Sequence, residues 1–157
     1  MCIAVFVAVG RPLELRPFVA SRPGFYVRAV TEEAEGIRRY FSLPLVYEVG
    51  ANSGCGCGFY LAAEDLDVQE DPAVPEMVKQ GVRADYAERR ESVAALRGLL
   101  EEAISGGGFA EVYVCWQGQW DAEPVSRREC GLGHFGGIEF RFREREFIVV
   151  REMLGAG

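Results

Sequence analysis

Residues 2–9, CIAVFVAV, contain no polar side chain other than the thiol of Cys2, so apolar and polar positions do not alternate there. A strand with this pattern is covered on both faces, as a central strand of a sheet is. Gly10 and Pro12 end the run far short of the roughly 20 apolar residues of a membrane helix, and no basic segment precedes it. We therefore predict a central β-strand and no export signal.

Further strands follow from runs of β-branched and aromatic residues bounded by glycine and proline. They are predicted at residues 25–30, 45–49, 59–63, 110–116, 138–143 and 147–150. In 138–143 apolar residues alternate with charged ones, which is typical of a half-buried strand. The segment 116–137 is polar and rich in glycine, and we expect it to be a long loop.

The helices follow from a change in the period of the apolar residues. An amphipathic stripe of period 3.6 is formed by Tyr86, Val93, Leu96, Leu100 and Ile104. Asp85 can cap the start of this helix, and glycines 106–108 end it. Its charged side chains, Glu88, Arg89, Arg97 and Glu101, are expected in solvent.

A short helix and a linker are also predicted. Thr31 suits the N-cap of the short helix, and residues 64–75 are predicted to be an acidic linker. The predicted class is α+β: a mostly antiparallel mixed sheet with one long amphipathic helix and one short helix.

Composition and charge limit the classes of function. The 157 residues are 49% hydrophobic and 26% charged, which predicts a single globular domain over residues 1–157. The net charge of −7 argues against nucleic acid or an anionic membrane as partner. We expect a small molecule or a protein instead, including a second copy of this chain joined through a free sheet edge. The odd count of five cysteines suits free thiols in a cytoplasmic protein.

The stretch that is hardest to explain by packing is Gly-Cys-Gly-Cys-Gly at residues 54–58. Because glycine has no Cβ, the thiols of Cys55 and Cys57 can turn toward one ion without a clash. Cys130 and His134 offer a second pair of ligands on the later glycine-rich segment. Cysteine and histidine are the ligands of tetrahedral zinc sites. The sequence therefore predicts a metal site with zinc as the cofactor, made by these four residues.

Two alternatives stay open for the same residues. The thiols can be small buried hydrophobes, which is a common role of free cysteine. Alternatively, Cys55 or Cys57 can be the nucleophile of a thiol-dependent enzyme, of the hydrolase or transferase type, with His134 as its base. No third catalytic member is recognisable, so no catalytic residues are assigned, and a metal- or ligand-binding domain is the favoured interpretation.

Two further pairs of residues are candidates for ligand binding. Trp116 and Trp120 could form the aromatic wall of a pocket, and Asn52 and Ser53 could orient a ligand beside the cysteine loop. The simpler alternative is that a tryptophan at a strand end closes the core. Asparagine and serine before a glycine are also common in tight turns.

The Met1-Cys2 start followed by an apolar strand resembles the N-terminal nucleophile hydrolases, including class II glutamine amidotransferases. The resemblance implies that Cys2 becomes the nucleophile after removal of Met1. It covers only the first few residues. The chain has Ile3 where those amidotransferases usually have glycine, and it is short for their two-sheet sandwich.

A longer resemblance rests on three features. They are the Met-Cys start, the strand that leads into Gly-Cys-Gly-Cys-Gly-Phe at residues 54–59, and a later strand that ends in Cys115-Trp116. Together they resemble an uncharacterised family of small bacterial proteins. The resemblance spans most of the chain and implies a shared fold, with no activity attached.

Overall fold

A six-stranded mixed sheet forms the centre of the structure, a computed structural model that describes residues 1–153. The strands are β1 (Ile3–Val9), β2 (Tyr26–Ala29), β3 (Leu45–Gly50), β4 (Phe109–Trp116), β5 (Ser126–Cys130) and β6 (Glu146–Arg151). They lie in the order β2-β3-β1-β4-β6-β5, and only the β5–β6 pairing is parallel. The predicted α+β class with a mostly antiparallel sheet is confirmed.

Strand β1 lies in the interior of the sheet, between β3 and β4. Val5, Val7 and Val9 pack into the core on one face, and Phe6 and Ala8 pack into the core on the other. Every residue from 4 to 9 is at most 2% exposed. The absence of alternation in CIAVFVAV thus has the predicted cause, which is burial on both faces.

The long helix α2 (Glu76–Ile104) covers one face and packs beside the short helix α1 (Ala63–Glu70). Its apolar stripe enters the core as predicted. The predicted start was wrong, because the helix begins directly after Pro75 and Asp85 lies inside it. Val78 and Val82 extend the apolar spacing of Tyr86 in i, i+4 steps, a signal of the longer helix that the prediction did not use. None of the helices within residues 1–153 is long and apolar enough to span a membrane.

Arg89 of α2 also differs from its expected place in solvent. It is 8% exposed and donates hydrogen bonds to Asp65 at 2.7 Å and to the backbone oxygen of Tyr60 at 3.2 Å. Asp65 belongs to α1, which occupies most of the predicted acidic linker. The charge of Arg89 is therefore used to join α1, α2 and the segment that follows the cysteine loop.

The opposite face of the sheet is covered by a 3-10 helix over Glu32–Tyr40. Its buried residues Ala34 and Ile37 pack in the second core with Phe6. The short helix is where the sequence predicts it, and Thr31 stands at its N-cap without a side-chain capping hydrogen bond. The sheet is thus a middle layer with helical cover on both sides.

Two predicted strands are absent within residues 1–153, and one strand was not predicted. Residues 138–143 are irregular because Glu139 has a φ of 69°, which breaks an extended run. Of the predicted strand 59–63, residues 59–62 are irregular and residue 63 begins α1; the two segments meet in a single bridge between Tyr60 and Arg141. The missed strand is β5, within the predicted long loop. It is an edge strand with mostly exposed side chains, so it has no hydrophobic signal.

Candidate metal centre

The cysteine loop follows β3 and turns tightly. The Gly54 amide donates to the Ala51 oxygen at 3.0 Å, and the Ala51 amide donates to the Cys55 oxygen at 3.0 Å. Gly54 has a φ of 81°, in the left-handed region that favours glycine. A short 3-10 helix over Gly56–Gly58 then leads the chain out of the turn. Glycine therefore sets the shape of the loop that carries Cys55 and Cys57.

Gly56 lets the loop approach the start of β1. A Cβ atom at this position would lie 2.6 Å from Cγ2 of Val5 and 2.9 Å from the backbone oxygen of Ile3. The close approach allows the Ile3 amide to donate a hydrogen bond to Sγ of Cys57 at 3.2 Å. It therefore brings the loop beside the residue that precedes β1, which is Cys2.

Three thiols meet at this point. The Sγ atoms of Cys2, Cys55 and Cys57 all lie within 4.8 Å of one another. Cys55 is 7% exposed, whereas Cys2 and Cys57 are exposed. Zn–S bonds of about 2.3 Å in a tetrahedral site place the sulfurs about 3.8 Å apart, so a small inward movement of the exposed side chains is enough. Three protein ligands leave the fourth position to water or another ligand.

The thiols of the loop differ in how readily they ionise. Burial opposes ionisation of Cys55, but hydrogen bonds from the Cys57 amide and the Ser53 hydroxyl outweigh it and lower the pKa of Cys55. Burial and the neighbouring Cys55 raise the pKa of Cys57, against the opposing effect of the Ile3 amide. Cys55 therefore forms a thiolate before Cys57, and a bound cation would favour loss of the remaining protons.

Asn52 and Ser53, predicted to bind a ligand, lie beside the cluster and hold the loop. The Asn52 amide donates to Oγ of Ser92 at 3.1 Å, and its side chain donates to the Glu88 carboxylate at 3.0 Å. Ser53 Oγ donates to the Cys55 oxygen at 3.2 Å and lies 3.7 Å from Cys55 Sγ. Ser92 and Glu88 were not identified as site residues, because on a helix they look like ordinary polar positions.

The predicted second pair of ligands does not join the first. Cys130 lies in the row of Ala110 on β4, whereas Ile3 pairs with Trp116 at the other end of β4. With strands about 4.8 Å apart and a rise of about 3.3 Å per residue, three strand steps and six residues separate Cys130 from the cluster by more than about 20 Å. The two loops therefore do not converge as expected, and Cys130 and His134 do not share a site with Cys55 and Cys57.

His134 has partners of its own. Its Nε2 accepts a hydrogen bond from Arg128 at 2.6 Å, and its ring packs against Phe140. Burial and the Arg128 cation lower the pKa of His134. A chain of ring contacts through Phe140 and Phe142 separates the imidazole from Phe59, two residues after Cys57. The structure therefore does not form the Cys–His pair that the enzyme interpretation requires.

Trp120 does not share a pocket wall with Asn52 and Ser53. Trp120 packs edge-on against Phe6, with ring centroids 5.8 Å apart, in the core on the other face of the sheet. Trp116 is half-buried at the end of β4. Trp120 therefore closes a core, as the simpler alternative predicts.

Cys2 is the ligand candidate that the sequence patterns missed, since they associate it with an N-terminal nucleophile. A signal was available in the strand pairing, because the end of β3 lies beside the start of β1 in an antiparallel pair, as Val5 and Val49 do. A loop that follows β3 must then lie near Cys2. The single sheet within residues 1–153 also differs from a two-sheet sandwich.

Comparisons with protein-family models, with characterised proteins and with solved structures give no match for this chain. The resemblance to an uncharacterised bacterial family thus stays a prediction.

Proposed function

We propose that the protein is a metal-binding domain that holds one thiophilic cation, zinc in the first place, through the thiolates of Cys2, Cys55 and Cys57. The observation that carries the proposal is the mutual approach of three Sγ atoms within 4.8 Å. Thiolate ligands select zinc and Cu(I) over the hard cations, which prefer oxygen.

The surroundings of the cluster support this role. The Ile3 amide donates a hydrogen bond to Sγ of Cys57, and the Ser53 hydroxyl oxygen lies 3.7 Å from Sγ of Cys55. Such outer contacts orient metal ligands and stabilise their charge. The loop is further fixed to α2 through Asn52. The ligands are therefore held near their binding geometry by the folded chain.

The test is to purify the protein without chelator and to measure its metal content by mass spectrometry. We expect about one zinc per chain, because three thiolates and one water molecule complete a tetrahedral zinc site. Cys57→Ser should lower zinc affinity by at least about tenfold and lower the free energy of unfolding of the zinc-bound protein, since metal binding couples to folding.

Cys130→Ser is the matched control, because it removes a thiol that lies outside the cluster. It should leave zinc content unchanged. Cobalt titration gives a second measurement, in which three thiolates produce strong sulfur-to-cobalt charge-transfer absorption. A folded protein that binds neither ion, or an equal loss of zinc in both variants, would contradict the proposal.

A further inference from the structure

A cavity lies beside the starts of β5 and β6, away from the three thiols. Its volume is about 590 Å³, and segment 133–143 supplies much of its wall. This volume falls within the roughly 300–1,000 Å³ of small-molecule sites. The side chains that matter for binding are Arg128, His134, Ile138, Glu139, Arg141, Arg143 and Glu146.

Three arginines line this cavity in a protein of net charge −7. Arg128 is held in a fixed orientation. Its Nε donates to Glu146 at 2.6 Å, its Nη2 donates to His134 at 2.6 Å, and Glu146 is only 2% exposed. Arg141 and Arg143 have no carboxylate within 4.0 Å among residues 1–153. The guanidinium groups of Arg141 and Arg143 can therefore bind an anion beside Arg128.

The two carboxylates of the cavity are already used by other groups. Glu146 accepts hydrogen bonds from Arg128 and, at 3.3 Å, from the backbone amide of Arg143. Glu139 accepts a hydrogen bond from the Ala63 amide at the start of α1, at 2.8 Å. Glu139 also has a φ of 69°, a costly conformation for a residue other than glycine, which this contact helps to hold. Neither carboxylate pairs with the Arg141 guanidinium.

One side of the cavity is apolar. Phe140 is 4% exposed and forms part of an aromatic cluster, while Ile138 is 61% exposed at the cavity wall. An exposed isoleucine beside guanidinium groups suits a ligand that is charged at one end and apolar at the other. Because guanidinium matches carboxylate and phosphate in a bidentate geometry, the charged end is an oxyanion.

We propose that this cavity is a binding site for a small organic molecule with one carboxylate or phosphate group, which Arg128, Arg141 and Arg143 hold while Ile138 contacts its apolar part. The site is independent of the metal centre and contains none of its thiols.

Calorimetric titration with two probes, inorganic phosphate and benzoate, tests the proposal. We expect saturable binding of one of them at one site per chain. The double substitution Arg141→Gln with Arg143→Gln should weaken it at least about tenfold, because it removes two charge-assisted hydrogen-bond donors to the anion. Tighter phosphate binding identifies a phosphate ester as the ligand class, and tighter benzoate binding identifies a carboxylate.

The matched control is Arg90→Gln with Arg97→Gln, which removes the same charge from exposed positions of α2. It should change affinity less than about twofold, because neither side chain lines the cavity and salt weakens the effect of exposed charges. Ile138→Ser should weaken benzoate and leave phosphate unchanged. The proposal is overturned by equal affinity in the two double variants, each shown by its unfolding transition to be folded, or by no saturable binding of either probe to the wild-type protein.

Discussion

Two glycine-rich segments of this protein carry cysteine, and the structure uses them differently. The loop at 54–58 brings Cys55 and Cys57 to Cys2, whereas segment 130–134 ends an edge strand and places its imidazole against Arg128. The thiols also differ in ionisation, since the pKa of Cys55 is lowered while burial raises the pKa of Cys130. The residue types are the same, so position relative to the central strands decides whether a site forms.

The contrast has a local cause. Around Cys55, the Cys57 amide donates to sulfur and the Ser53 hydroxyl oxygen lies 3.7 Å from it, and these contacts favour a thiolate. Cys130 instead packs against the main hydrophobic core, and this burial raises the pKa of its thiol in spite of the opposing Arg128 cation. In this protein, a cysteine is a candidate ligand where backbone amides donate hydrogen bonds to its sulfur.

The largest loss of stability and of zinc affinity is expected from Gly56→Ala in the cysteine loop. The added Cβ would meet Val5 and Ile3 at less than 3.0 Å, and overpacking of this kind costs about 1–3 kcal/mol. Urea unfolding should show this loss, and zinc affinity should fall because the loop must move away from β1.

Gly133→Ala is the matched substitution in the other segment, where the new Cβ meets nothing within 4 Å. We expect a change within about 0.5 kcal/mol, as for most exposed positions, and unchanged zinc binding. Equal destabilisation by the two alanines would show that close approach to β1 is not what distinguishes the cysteine loop.

A smaller effect is expected from Ser92→Ala, which removes the acceptor of the Asn52 amide. Ser92 is 2% exposed, so the amide loses a buried partner at a cost of about 1 kcal/mol. Hydrogen exchange at Asn52 should become faster. Ser105→Ala, at an exposed serine after α2, should leave exchange at Asn52 unchanged. If Ser92→Ala also leaves it unchanged, the loop is held by other contacts.

The smallest effect in free energy concerns protonation of Cys55. Because its pKa is lower in the folded state, this thiol adds stability above its usual pKa of 9.0, and that contribution is lost as pH falls through the lowered value. In metal-free protein, thiolate absorbance should show a first ionisation below pH 9.0 that Cys55→Ser removes and Cys130→Ser keeps. Loss of that step in Cys130→Ser would reverse the assignment.

Much of the fold was predictable because it rests on periodicity. The unbroken apolar run of β1, the apolar stripe from Val93 to Ile104 and the strand at 110–116 each report burial directly. The errors occur where buried residues lie outside regular secondary structure, or where a regular strand has exposed side chains. Phe140 and Phe142 are buried from an irregular segment, and β5 is a strand with exposed side chains.

Two of the three thiols of the candidate site were predictable, for a physical reason. Glycine around Cys55 and Cys57 reveals a loop without side-chain bulk, and that pattern is local. The third thiol, Cys2, lies more than fifty positions before Cys55 and reaches it through the pairing of β1 with β3, which no local pattern records. His134 was misassigned because residue type alone does not show that its acceptor nitrogen is already used by Arg128.

The parallel edge formed by β5 has a consequence for the order of assembly. Parallel neighbours cannot be joined by a tight hairpin, so Ser126–Cys130 can dock only after residues 131–145 have crossed back and β6 is in place. This strand therefore pairs with β6 alone, and it should join after β6 during refolding and detach before it. Whenever it does so, Cys130 becomes open to reagents while the central strands still shelter Cys115.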